Sequence, residues 1–301
     1  MTLRVTQLDS NWEITTFFFS FLSVENSVLE YDLRQAEVPI IHQATRDLTE
    51  ELKADDEVNQ LCVSKHRLLA AADDSGTVRI WDGKHTRILQ PETDCPFLMT
   101  SCCYRSGDQL ASGGTNCAVY LWDIGRPRKP LDTLLIARDD VGANQMCNPP
   151  MVHSLSWSPS GRLLAAGLGD GSIQIMGVVK RKLVALTRLR EGHGASVASV
   201  CFPEFGLSRA NTERVVVSAG TDGAIIVWDL KQSVGGDASA DPRQIFSQEL
   251  LKEDLDDEPS IVFGVPHAHK ANSMVSSQTN TLYVADTSNE ITGYAIPLQN
   301  S

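Results

Sequence analysis

The sequence has few of the features that mark a secreted or membrane-spanning protein. Its seven cysteines are odd in number and show no Cys-x-x-Cys spacing. They stand mostly in apolar runs, which indicates buried thiols in a reducing compartment, the cytoplasm or the nucleus. No apolar stretch approaches the roughly 18 residues that a membrane-spanning helix needs. Asp9 and Glu13 precede the strongest apolar run, residues 17–22, where a signal peptide would have a positive flank. We therefore predict an intracellular protein.

Positive charge is also scarce. The chain has 26 Lys and Arg against 38 Asp and Glu, which gives a formal net charge of −12. Affinity for nucleic acid comes mainly from Lys and Arg that displace counterions, and anionic membranes attract basic proteins in the same way. The sequence therefore predicts neither direct nucleic-acid binding nor membrane binding. With 42% hydrophobic residues among 301, the chain has enough apolar side chains for a packed core, which excludes wholesale disorder.

Motifs of known enzyme chemistry are missing from the sequence. It has no Gly-x-Ser-x-Gly elbow and no Gly-rich phosphate loop with a following Lys. His267 and His269 alternate along the chain and could share one strand face, but two histidines without a third ligand do not make a zinc site. We therefore expect no catalytic residue, no metal and no cofactor.

The sequence does contain an internal repeat. An apolar strand ending in small residues is followed by a turn with Asp, Asn, Ser or Gly, and then by an alternating strand that closes on an aromatic residue. The clearest copies occupy residues 68–82, 109–123, 163–177 and 215–229, and two weaker copies close at Tyr31 and Tyr294. Alternation with period two around such a turn predicts a β-hairpin.

Further strands flank each predicted hairpin. One precedes it, as at residues 58–63, 152–157 and 197–202, and another follows, as at 183–187. Four strands in roughly 40 to 45 residues are typical of a propeller blade. The sequence therefore predicts an all-β propeller with about six recognisable blades.

We predict that this propeller is a single domain, residues 1–301, with an acidic loop insertion at about 232–268. Between residues 249 and 258 the insertion has six acids, opposed there by Lys252 alone: Glu249, Glu253, Asp254, Asp256, Asp257 and Glu258. Two interpretations remain open, a solvated loop and a recognition loop whose charges steer a basic partner.

The repeats resemble those of the WD-repeat family. Trp-Asp pairs close the copies at positions 81, 122 and 228, and the dipeptide Gly192-His193 precedes the last of these. The resemblance covers nearly the whole chain. It implies seven blades, so a truncated first blade is expected, because residues 1–20 depart from the family pattern.

The resemblance also implies a buried hydrogen-bonded set in one blade, formed by His193, Ser218, Asp222 and Trp228. Its chemistry is consistent, because Trp only donates, Ser both donates and accepts, and Asp accepts. In other copies Asn116 or Ser75 replaces the turn Asp, and Met176 replaces the Trp. Those blades are expected to rely more on apolar packing.

The strand ends resemble those of WD-repeat receptors of cullin-4 ubiquitin ligases. In that family an Arg or Lys two residues after the Trp-Asp pair docks the ligase adaptor, a protein of the damaged-DNA-binding protein 1 type. The candidate adaptor-binding residues are Arg34, Lys84, Asp222, Trp228, Asp229 and Lys231. The resemblance thus implies a non-enzymatic interaction scaffold, a substrate receptor of a cullin-4 RING ubiquitin ligase.

Two alternatives stay open for the function. In the first, the cations are solvated residues that simply follow strands, and the protein is a generic propeller platform in another intracellular complex. The other alternative is a propeller-type hydrolase, which would need carboxylates or histidines that converge on the central channel.

Overall fold

Short alternating or fully apolar segments of the chain form antiparallel strands. The computed structural model describes residues 19–32, 43–93, 95–106, 108–138, 148–203, 214–230, 259–277, 280–288 and 290–296. These ranges contain 22 strands and one short helix, arranged in six sheets in which strands that neighbour in sequence pair with each other. The chain divides into two compact units, residues 1–135 and 136–301, each with three sheets.

The first unit contains one three-stranded sheet, β1–β3, and two four-stranded sheets, β4–β7 and β8–β11. Its elements are β1 (Phe19–Val24), β2 (Ser27–Asp32), β3 (Arg46–Asp47), α1 (Thr49–Leu52), β4 (Val58–Val63), β5 (Leu69–Asp73), β6 (Val78–Trp81), β7 (Thr86–Leu89), β8 (Met99–Ser106), β9 (Gln109–Gly114), β10 (Ala118–Asp123) and β11 (Asp132–Leu135).

The second unit contains two four-stranded sheets, β12–β15 and β16–β19, and one three-stranded sheet, β20–β22. Its elements are β12 (Val152–Trp157), β13 (Leu163–Leu168), β14 (Ile173–Val179), β15 (Lys182–Leu189), β16 (Val197–Cys201), β17 (Val215–Gly220), β18 (Ala224–Asp229), β19 (Ser260–Pro266), β20 (Ala271–Ser276), β21 (Thr281–Asp286) and β22 (Ile291–Ala295).

The second strand of each four-stranded sheet is buried on both faces. Every residue of β5, β13 and β17 is buried, so these strands are runs of apolar and small residues rather than alternations. The core lies between neighbouring sheets. In the first unit Trp122 and Met99 pack with Leu89, and in the second unit Trp228 packs with Leu163 and Ile175.

Serine side chains tie the first strands of two neighbouring sheets in the second unit. Ser154 Oγ on β12 accepts from the N–H of Val200 at 3.1 Å, and Ser156 Oγ accepts from the N–H of Phe202 at 3.1 Å. These bonds satisfy backbone donors that face the neighbouring sheet instead of a strand of their own sheet.

The predicted repeats coincide with the observed sheets. The closing residues of the four clear copies lie on the third strands β6, β10, β14 and β18, and the strands predicted at 58–63 and 152–157 match β4 and β12. The first and last sheets have three strands each within the described ranges. Residues 1–18, where the truncated blade was expected, lie outside those ranges.

Two features differ from the sequence prediction. Strand β19 occupies the C-terminal part of the insertion predicted at about 232–268, so the insertion was drawn too long. This strand pairs along β18, with Trp228 opposite Ile261, and completes the sheet after the long connection. The rest of the insertion, with its six acids, lies outside the described residues. The helix α1 was not predicted, because four residues are too few for a helical period to show.

Candidate functional site

Four polar side chains meet within the sheet β16–β19. Trp228 Nε1 donates to Ser218 Oγ at 2.8 Å, and His193 Nε2 lies 2.7 Å from the same oxygen. His193 Nδ1 lies 3.2 Å from Asp222 Oδ1. Because Ser218 Oγ accepts from Trp228, its hydroxyl proton is free for His193 Nε2, and Nδ1 then donates to Asp222. The residues form one continuous line of donors and acceptors from core to turn.

Asp222 joins this set to the backbone. The N–H of Gly194 donates to Oδ2 at 2.8 Å, and the N–H of Ala224 donates to Oδ1 at 3.1 Å. Burial by itself would raise the pKa of Asp222, but the hydrogen bonds from Gly194, His193 and Ala224 outweigh it and lower that pKa. Burial lowers the pKa of His193 despite the neighbouring carboxylate. The set therefore combines a neutral imidazole with an ionised carboxylate at neutral pH.

Two glycines make room for this arrangement. A Cβ on Gly192 would lie 2.4 Å from Cζ2 of Trp228, and a Cβ on Gly220 would lie 2.3 Å from Oδ1 of Asp222. Both distances are far below van der Waals contact. The dipeptide Gly192-His193 is thus explained by packing, since the Trp228 ring covers the residue before the histidine.

The sheet β4–β7 places its carboxylate differently. Ser75 stands at the turn position of Asp222, and Asp73 ends β5 at the position that Gly220 has in β17. The side chain of Asp73 is fully buried and accepts from the N–H of Ser75 at 3.1 Å. The carboxylate has therefore moved from the turn to the end of the second strand.

An arginine takes the place of a histidine beside this carboxylate. Arg79 Nε on β6 donates to Asp73 Oδ2 at 3.2 Å, and its Nη2 also pairs with Asp55 before β4. The Arg79 side chain is 5% exposed, against 71% for Asp55. This sheet thus holds a buried ion pair where the sheet β16–β19 holds a neutral histidine.

Trp81 lacks the partner that the tryptophans of the other two Trp-Asp pairs have. Its Nε1 is buried and has no hydrogen-bond partner among the described residues. Trp228 and Trp122 donate to Ser218 and Ser112, whereas Ala71 stands at that position in β5. The Trp81 ring instead lies 5.0 Å from the guanidinium carbon of Arg46, which is within cation–π range.

The last sheet, β20–β22, repeats the relocated carboxylate. Asp286 ends β21 at the Gly220 position, and it accepts from the N–H of Ser288 at 2.6 Å. His267, in the loop before β20, has its Nε2 2.9 Å from Asp286 Oδ2 and its Nδ1 2.7 Å from the hydroxyl of Tyr294. Hydrogen bonds from Ser288 lower the pKa of Asp286 against the opposing effect of burial. Tyr294 stands where the sheet β16–β19 has Trp228.

The remaining four-stranded sheets also contain polar sets. Trp122 Nε1 donates to Ser112 Oγ at 2.9 Å in β8–β11. In β12–β15, Asp170 pairs with Arg188 from the fourth strand, and Arg188 Nε donates to Ser172 Oγ at 2.8 Å. The expectation that such blades rely on apolar packing therefore needs correction, because each keeps a polar set built from other residues.

The structure describes four of the six candidate adaptor-binding residues. Arg34 and Lys231 lie outside the described residues. Lys84 is exposed in the turn after β6, where its N–H donates to Asp82 Oδ1 at 3.0 Å. Asp229 ends β18 in an ion pair with Arg214, whose Nη2 donates to Oδ2 at 2.9 Å. Lys84 and Asp229 belong to different units.

The other two described candidates, Asp222 and Trp228, belong to the hydrogen-bonded set. Trp228 is 3% exposed, so it has almost no surface for an adaptor. In the structure both residues act within the polar set, and a direct contact with an adaptor stays a prediction.

A polar cleft of about 530 Å³ opens beside the last sheet. Its lining includes His267, His269, Asp286, Glu290 and Tyr294. In the part of the chain that the structure describes, no three His, Cys, Asp or Glu side chains are grouped so that they could hold a metal ion. No helix in that part is long and apolar enough to cross a membrane.

Two family models match parts of the chain. The WD domain, G-beta repeat model matches residues 47–82 and 185–229, which end at the Trp-Asp pairs of β6 and β18. A model of the WD40 domain of anaphase-promoting complex subunit 4 matches residues 141–203.

Individual proteins are also similar. A WD repeat-containing protein 53 homolog from Dictyostelium discoideum is 25% identical over 295 residues, 91% of this chain and 76% of that protein. The WD repeat-containing protein VIP3 from Arabidopsis thaliana is 36% identical over 93 residues, 30% of this chain and 28% of that protein.

A solved structure has the same fold. A chain in the crystal structure of the mitotic checkpoint complex matches with a TM-score of 0.67 at 18% identity, covering 98% of this chain and 75% of that chain. With the six blade-like sheets, this likeness confirms the prediction of an all-β propeller.

Proposed function

We propose that this β-propeller, which matches the WD-repeat model in two segments and is similar to a WD repeat-containing protein 53 homolog, is a non-enzymatic scaffold for protein–protein interaction. WD-repeat propellers generally bind proteins. The narrower proposal is a substrate receptor of a cullin-4 RING ubiquitin ligase. Its adaptor would be of the damaged-DNA-binding protein 1 type, and its place would be inside the cell.

The observation that supports the narrower proposal best is the environment of Lys84. Its ammonium group is exposed, and none of the described residues forms an ion pair with it. Its backbone is held, because Asp82 Oδ1 accepts from the N–H of both Lys84 and His85. A cation on a fixed turn loses little conformational freedom on binding, which favours its use at an interface.

The end of β18 offers a second support. The Asp229–Arg214 ion pair and the hydrogen bond from the Leu230 N–H to the Arg214 carbonyl at 2.8 Å anchor this strand end. Leu230 is fully buried, so the chain is held up to the residue before Lys231. By sequence, Lys231 and Arg34 follow their strands at the same spacing as Lys84.

The test is binding of the purified adaptor by surface plasmon resonance. We expect Arg34→Ala to weaken capture most, by roughly 30-fold, because an interface anchor contributes about 2 kcal/mol and Arg is favoured among anchors. Lys84→Ala should weaken capture less, since Lys is a point charge without the planar fork. Lys180→Ala is the matched control, since Lys180 is exposed after the third strand of its sheet, β14, but follows no Trp-Asp pair.

The outcomes separate the two levels of the proposal. Wild-type protein that shows no adaptor binding at micromolar concentration overturns the receptor function and leaves the general scaffold, as a platform in another intracellular complex. Equal losses of adaptor affinity for Lys84→Ala and Lys180→Ala would show that a cation after the Trp-Asp pair contributes no more to binding than another exposed cation. We favour the scaffold over the hydrolase alternative, because His267 and Asp286 in the polar cleft pair with each other at the positions of the polar set.

A further inference from the structure

We propose that exposed cations at one end of the sheets β4–β7 and β8–β11 form a docking surface for an acidic polypeptide segment. This cationic surface consists of Lys65, Lys84, Arg87, Arg126, Arg128 and Lys129. The inference goes beyond the proposed ligase function, since it concerns a different partner chemistry and can be tested without the adaptor.

The two sheets present their connections at the same end. Strands β4 and β8 run side by side in the same direction, because Asn59 Nδ2 donates to the Met99 carbonyl at 3.1 Å and the Sγ atoms of Cys62 and Cys102 lie 3.4 Å apart. In both sheets the first and third strands therefore end at the same end of the sheet, and a cation follows three of these four strands. Lys65 follows β4, Lys84 follows β6, and Arg126 follows β10.

One contact shows that the cations of the two sheets are neighbours. Arg87 on β7 donates from Nη1 to the carbonyl of Ile124 at 3.5 Å. Ile124 begins the connection from β10 to β11, which contains Arg126, Arg128 and Lys129. The connection of the second sheet therefore lies against the fourth strand of the first.

The connection from β10 to β11 is held at both ends. The N–H of Ile124 donates to the Asp108 carbonyl at 2.9 Å, and the N–H of Leu131 donates to the Leu121 carbonyl at 2.7 Å. Pro127 and Pro130 fix φ on either side of Arg128 and Lys129. Cations on such a restrained connection need little ordering on binding, which favours affinity.

The positive charge of this surface is mostly not neutralised by the protein. In the part of the chain that the structure describes, Lys65, Lys84, Arg126, Arg128 and Lys129 are exposed and have no ion-pair partner. Arg87 alone pairs, with Asp82 at 3.4 Å.

Two of the acids at the same end, Asp82 and Asp123, are occupied by their own turns, whereas Asp132 begins β11 half-buried. Asp82 Oδ1 accepts from the N–H of Lys84 at 3.0 Å, and Asp123 Oδ1 accepts from the N–H of Gly125 at 3.0 Å. Asp108 remains exposed. In a chain of net charge −12, this excess of cations at one end indicates a partner of opposite charge.

An acidic polypeptide fits this surface better than a nucleic acid. Proteins that bind single strands stack bases on exposed aromatic rings, and among the described residues the only exposed Phe, Tyr or Trp side chain is Tyr283, in the other unit. The net charge of −12 also repels a long polyanion. A short acidic segment meets only the local surface, where the Arg forks can grip carboxylates with two hydrogen bonds each.

The test uses a fluorescein-labelled peptide of ten glutamates and fluorescence anisotropy with the full chain. We expect binding that weakens as salt rises. Charge reversal in Arg126→Glu/Arg128→Glu/Lys129→Glu should weaken it by at least about tenfold, since opposed charges at an interface are strongly unfavourable.

The matched control is Lys180→Glu/Arg181→Glu/Lys182→Glu. It reverses three consecutive exposed cations at the hairpin of β14 and β15 in the second unit, so it changes the net charge by the same amount. We expect its affinity for the peptide to stay within about twofold of the wild type, because the remaining effect is long-range and screened. Thermal melting of both variants checks that they are folded.

Three results would overturn the proposal. The first is a wild-type protein that leaves the peptide unbound. The second is an equal loss of affinity in the two triple variants, and the third is a ten-nucleotide single-stranded DNA that binds as tightly with the same dependence on Arg126. The second result would show an effect of net charge alone, and the third a nucleic-acid surface. Adaptor capture without peptide binding would overturn this inference and leave the ligase proposal standing. Peptide binding without adaptor capture would overturn the ligase proposal and support this inference.

Discussion

The sheets β4–β7 and β16–β19 satisfy the same structural need with different chemistry. Each connects the loop before its first strand, the turn between its second and third strands, and a Trp-bearing third strand. In β16–β19 a neutral His193 bridges Ser218 and Asp222. In β4–β7 a charged Arg79 bridges Asp73 and Asp55. A repeat can therefore keep its shape while its polar residues change places.

The two polar sets also differ in how much stability is lost when one partner is removed. The set of β16–β19 is a line of hydrogen bonds around one neutral ring, and its Asp222 is partly solvated at 21% exposure. The set of β4–β7 buries an ion pair, with Asp73 fully buried. A buried charge that loses its partner is far more unfavourable than a lost neutral hydrogen bond. We therefore expect unequal effects from equivalent substitutions.

The largest effect is expected from Arg79→Met. This change leaves Asp73 buried without its counter-charge, and breaking a buried pair in this way costs about 3 to 5 kcal/mol. Urea unfolding measures the loss, and Arg128→Met, on an exposed arginine, is the matched control. The double variant Asp73→Ala/Arg79→Met should recover part of the stability. A loss of unfolding free energy no greater than that of the control would contradict the stabilising role of the Arg79–Asp73 ion pair.

A smaller effect is expected from Asp222→Ala. The change deprives His193 and the Gly194 amide of an acceptor, which costs on the order of 1 to 3 kcal/mol. Asp108→Ala, at an exposed aspartate in the turn after β8, should leave the stability within about 0.5 kcal/mol. Thermal melting compares the two variants. Equal melting temperatures would contradict the role assigned to the Asp222 carboxylate.

Ala71→Ser tests the unpartnered Trp81 in the opposite direction. A serine at this position should accept from Trp81 Nε1 as Ser218 does from Trp228, so we expect a gain of about 1 kcal/mol. Ala70→Ser is the control, because Ala70 is equally buried but faces the other side of β5. It should destabilise the protein. Urea unfolding in which both serines are equally harmful would contradict the comparison between the two sheets.

The smallest effect concerns pH. The pKa of His193 in the folded protein lies below its ordinary value of 6.5 because of burial, so the unfolded chain binds more protons in mildly acidic solution. The stability that comes from burying a neutral His193 is therefore fully present above pH 6.5, and it is lost as the pH falls below that value. His153 acts in the same direction, since burial and the nearby Lys270 charge lower its pKa.

The measurement is the slope of melting temperature between about pH 7.5 and 5.5. His193→Gln should make this slope shallower, because glutamine takes up no proton. His85→Gln, at a histidine with a 79% exposed side chain, is the matched control for the substitution itself. A steeper or unchanged slope for His193→Gln would contradict the sign. A separate loss from Asp222 begins below its ordinary pKa of 3.8.

The strands and their order could be read from the sequence because their signals are local. A turn residue such as Gly223 or Gly76, with φ of 76° and 79°, stands between two runs that alternate or are fully apolar. Such signals predicted β4 and β12 at their observed bounds. Strand β19 was missed because its signal follows a long connection from its partner β18.

The relocated carboxylates, Asp73 and Asp286, also leave a pattern in the sequence. Asp73 and Ser75, like Asp286 and Ser288, form the pattern Asp-x-Ser where β17 and its turn have Gly-x-Asp. The pattern carries meaning only once Gly220 is seen to leave space beside the Asp222 carboxylate. That space was not visible from the residue types.

The sequence by itself determined the repeat, the class of fold and the third strands on which the closing residues lie, because alternation and turn chemistry act between residues close in the chain. Only the tertiary structure decided which residues complete each polar set and which cations gather at one end of two sheets. Arg79 reaches Asp55 across 24 positions, His267 reaches Tyr294 across 27, and Arg87 reaches Ile124 across 37. Hydrogen bonds and ion pairs act over a few ångströms in space, whatever the separation along the chain, so these partners exist only once the sheets have packed.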